Sequence, residues 1–209
     1  MEDQLTTGTV NSVPALTDIE TNWAKPWLFS RMLLISISIA ILLILGYRTF
    51  ENANFLPGLM FIGPFSVSLS TLIFFLEMNA PRNISVFMVM ALAFLGGVTS
   101  LFIALVLFDR LEFLGSVLHA SAAGIIEEAA KVMVVILIVG RYTRYKWILN
   151  CLLFGAAIGM GFAAFESCGY AYRSASFDGM VDSLVLRGLL SPLMHIVWTA
   201  NASAALWLV

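Results

Sequence analysis

From residue 27 onward, apolar residues run in long blocks separated by brief polar punctuation. A helix needs about 20 residues to cross the hydrocarbon core of a bilayer. On that measure the chain offers six spans, at 29–47, 55–76, 84–108, 116–140, 147–172 and 184–209. The strict alternation of a membrane β-barrel is absent. The connections are short, and no internal repeat, low-complexity linker or soluble domain interrupts them. The pattern predicts an all-α fold, a polytopic transmembrane helical bundle of about six membrane-spanning helices in one domain (27–209). A polar N-terminal tail (1–26) precedes it, without the basic region or cleavage site of a signal peptide. The last block reaches Val209 with no polar flank, which predicts that the natural chain continues and that this one is truncated at its C-terminus.

Composition agrees. The 209 residues are 60% hydrophobic and 11% charged, against about 45–50% and about 25% in soluble domains. The net charge of -2 supplies no basic patch, which argues against nucleic-acid binding. With the N-terminus inside, the inner side collects Lys25, Arg31, Arg82, Arg141, Arg144 and Lys146, and the outer side Arg48, Arg110, Arg173 and Arg187. That bias, with Trp27 and Trp147 at inner ends, predicts an N-inside orientation. Cys151 and Cys168 fall inside apolar blocks and suit packing thiols better than a disulfide framework. Asn83 and Asn201 match the glycosylation pattern by chance, one on an inner loop and the other within an apolar block.

Three polar stations interrupt the apolar blocks. The fourth block contains "GIIEEAAK", residues 124–131. A charge at the bilayer centre costs about 2.5–3.5 kcal/mol on insertion scales, so such groups persist mainly where function requires them. At about 100° per residue, Lys131 projects between Glu127 and Glu128, and Gly124 and Ser121 extend the same stripe outward. That face should look into the bundle or a water-filled cavity. A structural ion pair would account for Lys131 with one glutamate, but it leaves a second carboxylate beside the first. Paired carboxylates in different environments are what acid–base catalysis uses. His119, further out on the block, reads as an interfacial histidine.

The fifth block contains "GFAAFES" (161–167), with Phe162 and Glu166 one turn apart, and Gly155 and Gly159 spaced to admit a neighbouring helix. Glu166 taken alone could equally be interfacial. The sixth reads "RGLLSPLMHIVWTA" (187–200), with Gly188, Ser191, His195 and Thr199 on one face and Pro192 freeing a backbone carbonyl. A single membrane histidine is often polar glue between helices, but three nearby carboxylates make it a candidate for chemistry. Block midpoints put Glu127, Glu128 and His195 at similar depth and Glu166 about 10 Å further out by helix rise.

The motifs "EEAAK", "GFAAFES" and "RGLLSPLMHIVWTA" resemble the EExxK, FxxxE and His-bearing motifs of the PrsW-type intramembrane proteases, which are related to the glutamate-dependent CAAX prenyl endopeptidases. The resemblance is clear over 116–203 and carries the motifs in the family's order. It departs at Ser167, where the family often has Asn. It implies that Glu127, Glu128, Glu166 and His195 form a catalytic site for peptide-bond hydrolysis in the membrane, supported by Lys131, Phe162, Ser191 and Thr199. One of Glu127 and Glu128 would be the general base, Glu127 by analogy with the prenyl endopeptidases. His195 would donate to the oxyanion or protonate the leaving amine, and Glu166 would orient the water or share a proton. The implied substrate is a membrane-anchored protein, such as an anti-sigma factor cut on its extracytoplasmic side. The implied setting is the cell (inner) membrane with a cytoplasmic N-terminus.

Three carboxylates and a histidine are also a zinc-type set. With no HExxH pairing, the expectation is no obligatory metal and no cofactor. Three other readings compete, one of them a non-catalytic binding or scaffold protein that keeps the fold but has lost turnover. A proton-coupled transporter or channel would use the same acidic groups as a relay, but transporters tend to show repeats and broken helix pairs. A CAAX-type prenyl-protein or peptide-processing endopeptidase would require a lipidated peptide.

Overall fold

The computed structural model describes residues 27–119, 121–140, 145 and 147–207. The tail 1–26 lies outside the described residues, as do Arg141, Arg144 and Lys146 of the charge count and the chain's last two positions. Among the described residues the chain forms seven helices and no strand. They are α1 (Leu28–Phe50), α2 (Phe55–Met78), α3 (Val86–Arg110), α4 (Glu112–Leu118), α5 (Ser121–Val134, continued by a π-helical turn Val135–Val139), α6 (Ile148–Tyr172) and α7 (Phe177–Leu206). Five of them, α1, α2, α3, α6 and α7, are long and apolar enough to cross a membrane. The other expected span is the one that carries Glu127, Glu128 and Lys131.

Two block boundaries differ from the sequence pattern. The fourth block is not one helix from residue 116, because His119 takes φ 51° and ψ -131° and divides α4 from α5. Its N–H closes α4 on the Gly115 carbonyl, and its own carbonyl accepts from Ala122. The helix of the sixth block, α7, starts at Phe177 rather than 184, because the Ser176 hydroxyl accepts the Gly179 N–H at 3.1 Å and Asp178 sits at the positive end of the first turn. Polar caps lower local hydropathy while they stabilise the helix, so a hydropathy count starts too late.

α6 is the centre of the bundle. Apart from Asn150, Glu166 and Ser167 it is apolar around its circumference, the signature of a helix covered on all sides, and its Leu153, Phe154, Ile158 and Met160 are fully buried. Glycines set how closely its neighbours approach. A Cβ on Gly155 would strike the Thr199 carbonyl and Ser203, and one on Gly159 the His195 carbonyl, so α7 lies backbone to backbone on this face. On another face Gly161 abuts the Ala93 carbonyl and Gly97 of α3. Both partners are π-helical there, at Leu92–Gly96 in α3 and Pro192–Val197 in α7. α1 is peripheral, with Ser36 its only buried residue. It packs on α2, and the carboxylate of Glu77 accepts the Leu28 and Phe29 N–H groups at its start. Cys151 and Cys168 are free thiols, and Cys168 Sγ donates to the Met60 carbonyl.

Candidate active site

Glu127, Glu128, Lys131, Phe162, Glu166 and His195 of the three motifs converge on one cluster. α5 contributes Glu127, Glu128 and Lys131. Lys131 has no exposed side-chain surface, and its ammonium pairs with Glu128 Oε1 and stands 2.7 Å from His195 Nδ1. Phe162 of α6 lies beneath, its ring centre 4.5 Å from the ammonium and 5.2 Å from the imidazole. From α7, His195 Nε2 faces Glu166 Oε2 at 3.3 Å. Ligand-capable atoms of Glu127, Glu166 and His195 all lie within 4.8 Å of one another.

The outward offset of Glu166 expected from helix rise persists along the backbone, since Gly159, seven residues earlier, lies against His195, and the side chains span it. α6 and α7 are antiparallel, and in every helix the Cα–Cβ bond tilts toward the N-terminus. Glu166 thus leans back along α6 toward the depth of Gly159, which lies against His195, while His195 leans toward the start of α7. Each side chain covers part of the offset. Counting rise between Cα atoms leaves this out.

The supporting residues divide by function. The Thr199 hydroxyl donates to the His195 carbonyl at 2.6 Å, inside the π-helical turn where regular i to i−4 bonding is interrupted. Ser191 is buried and accepts from Arg187 at 3.2 Å. His119 is exposed and stands apart from the cluster as a helix divider.

Arg187 is the residue that sequence reasoning missed, having been counted only as an outer-side charge. Its guanidinium pairs with Glu166, donates through Nε to Ser167 Oγ at 2.9 Å, and lies 4.1 Å from the Tyr170 ring centre. Ser167, at the family's frequent Asn position, therefore accepts from the arginine that holds Glu166. The available signal was spacing, since Arg187, Ser191 and His195 follow one another at four-residue steps along one helical stripe.

Three carboxylates, two cations and an imidazole gathered within an apolar helical bundle form a candidate active site. The chain belongs to the family described as PrsW family intramembrane metalloprotease, which matches residues 81–209. It is thus an intramembrane protease, and α1 and α2 lie before the matched region. No curated protein and no solved structure matches the chain.

The family's description names a metal. By type, Glu127, Glu166 and His195 could supply ligands. Their hydrogen bonding does not suit the role. A metal-bound imidazole donates its second N–H to an acceptor, whereas His195 Nδ1 faces the ammonium of Lys131, which has only hydrogens to give. Nδ1 must then accept, which places the ring hydrogen on Nε2, the atom nearest Glu166. Glu166 Oε2 is in turn held by Arg187. As arranged, the donor set does not fit a metal.

Proposed function

We propose that the protein hydrolyses a peptide bond of a membrane-anchored protein with a water molecule activated by Glu127. The observation that carries this is the different company of the two adjacent glutamates. Glu128 is bound to the Lys131 ammonium, while Glu127 forms no ion pair among the described residues and borders the space shared with Glu166 and His195. A carboxylate whose lone pairs are committed to an ammonium is the poorer acceptor of a water proton.

As the water oxygen bonds to the scissile carbonyl carbon, its proton passes to Glu127. When the C–N bond breaks, that proton goes on to the departing amine. The Nε2–H of His195 donates to the developing oxyanion. Glu166, fixed by Arg187, orients the water and the imidazole. A helical peptide bond is closed to such attack, so the substrate must unwind locally, and its freed backbone groups need partners within the protein. With the N-terminus cytoplasmic, the cluster falls in the outer half of the cell membrane, which suits an anti-sigma-like protein cut on its extracytoplasmic side.

The test is cleavage of a panel of single-pass membrane proteins by purified protein, comparing wild type with Glu127→Gln, Glu128→Gln and His195→Ala, each with and without a chelator. Glu127→Gln is expected to slow cleavage by about 10²–10⁴-fold, the usual worth of a positioned base, and wild-type cleavage to survive the chelator. Wild-type rates in all three variants would overturn the site, and loss of cleavage with chelator would overturn the metal-free mechanism.

A further inference from the structure

The cluster has a closed floor and an open end. Lys131 is wholly buried against Phe162 and His195, whereas Glu128, a turn nearer the start of α5, keeps 32% of its side chain exposed. One turn further, Gly124 is exposed, and a Cβ placed on it would meet no atom within 4 Å. At Gly169, half-buried and three residues beyond Glu166 on α6, a Cβ would likewise meet no atom within 4 Å. Because α5 and α6 run in opposite directions, both glycines lie about 4.5 Å from their carboxylates toward the same end of the bundle.

Neither glycine has a positive φ, and neither is required by packing. Gly155, Gly159 and Gly161 differ in this, since each abuts the backbone of a neighbouring helix. Glycine weakens a helix, and beside a polar cluster a bare helix surface of this kind lets a ligand approach the backbone closely.

We propose that the scissile segment of a membrane-anchored substrate enters as an extended strand from this end, passing between the bare helix surfaces at Gly124 and Gly169 to reach Glu127 and His195. The identity of the occupant rests on the proteolytic reading above. Glu128 lies along the route, which also carries water to the base. Entry is from the rim of the bundle, and the lipid-facing side of α5, marked by the exposed Ile125, is not the way in.

Single cysteines at 124, 169 and 125, in a chain carrying Cys151→Ala and Cys168→Ala, test this in nanodiscs, where both membrane faces meet solvent. The probe is a cationic, membrane-impermeant methanethiosulfonate, which reacts with the thiolate and so reports water at the site. Gly124→Cys and Gly169→Cys are expected to label at least about tenfold faster than Ile125→Cys. Labelling at 125 as fast as at 124 and 169, or none at the two glycine positions, would overturn the route. The readout does not depend on turnover. Fast labelling at 124 and 169 together with undiminished cleavage by Glu127→Gln would leave the route standing and remove the proteolytic mechanism.

Discussion

Arg187 shows how a single side chain sets the state of its neighbours. It holds Glu166 through one nitrogen and reaches Ser167 and Ser191 with its other hydrogens. Arg187→Gln leaves a half-buried carboxylate without its cation, a change that costs up to about 3 kcal/mol, and should lower both the thermal midpoint in detergent and cleavage. Arg187→Lys keeps the charge but not the planar fork. It should restore most of the stability and little of the activity, and equal recovery of both would show a purely structural role. The residues legible in the sequence, Glu127, Glu128, Lys131 and His195, stood out because charge or imidazole within an apolar run is costly. Arg187 did not stand out, because an arginine ten residues into a segment with a polar start looks like one reaching for the interface. Its partnership with Ser167 spans a helix-to-helix contact that no spacing rule within one segment reveals.

At the scale of helices, glycine separates packing from access. Gly161 touches the Ala93 carbonyl of α3, so Gly161→Ala must push two backbones apart and should destabilise the protein by about 1–3 kcal/mol, as overpacking does elsewhere. Gly124 faces open space in a regular helix. Gly124→Ala should therefore stabilise α5 by about 0.5–1 kcal/mol through helix propensity alone. Opposite shifts of the two thermal midpoints are the expected result, and a loss at Gly124→Ala would mean that α5 is packed there after all. The close approach at Gly155 and Gly159 was legible, since small residues four apart have one common use in membrane helices. The π-helical turns and the division at His119 were not. They depend on contacts between segments and on one residue's backbone torsion, and hydropathy averages over both.

The whole molecule is graded in burial, from α6 at its centre to α1 at its edge. In their most apolar windows 78% of α6 is buried against 6% of α1. The matched family region begins at residue 81, so α1 and α2 stand before it, and α1 packs along α2 and touches α7 at its far end, where Tyr47 stacks on Phe177 and Arg48 pairs with Asp178. Five of the six expected apolar segments were legible in number and order because each is about a membrane thick, while the block that carries Glu127 and Glu128 is divided at His119. Which of them is central was not, since α1 is the more hydropathic of the two extremes, at 2.5 against 2.0. Position follows from small residues that permit contact, not from hydrophobicity, because lipid accepts an apolar surface as readily as protein does. A clasp at its start also ties α1 to the bundle, where Glu77 Oε1 accepts the Leu28 N–H at 2.8 Å. Capping a helix start is worth about 1 kcal/mol, so Glu77→Ala should loosen the first turn of α1 without disturbing the cluster about α6. Hydrogen exchange measured in nanodiscs should speed up over residues 28–32 and stay unchanged over 148–172. Faster exchange across both would make α1 part of the cooperative core, and an unchanged first turn would show that the clasp contributes nothing.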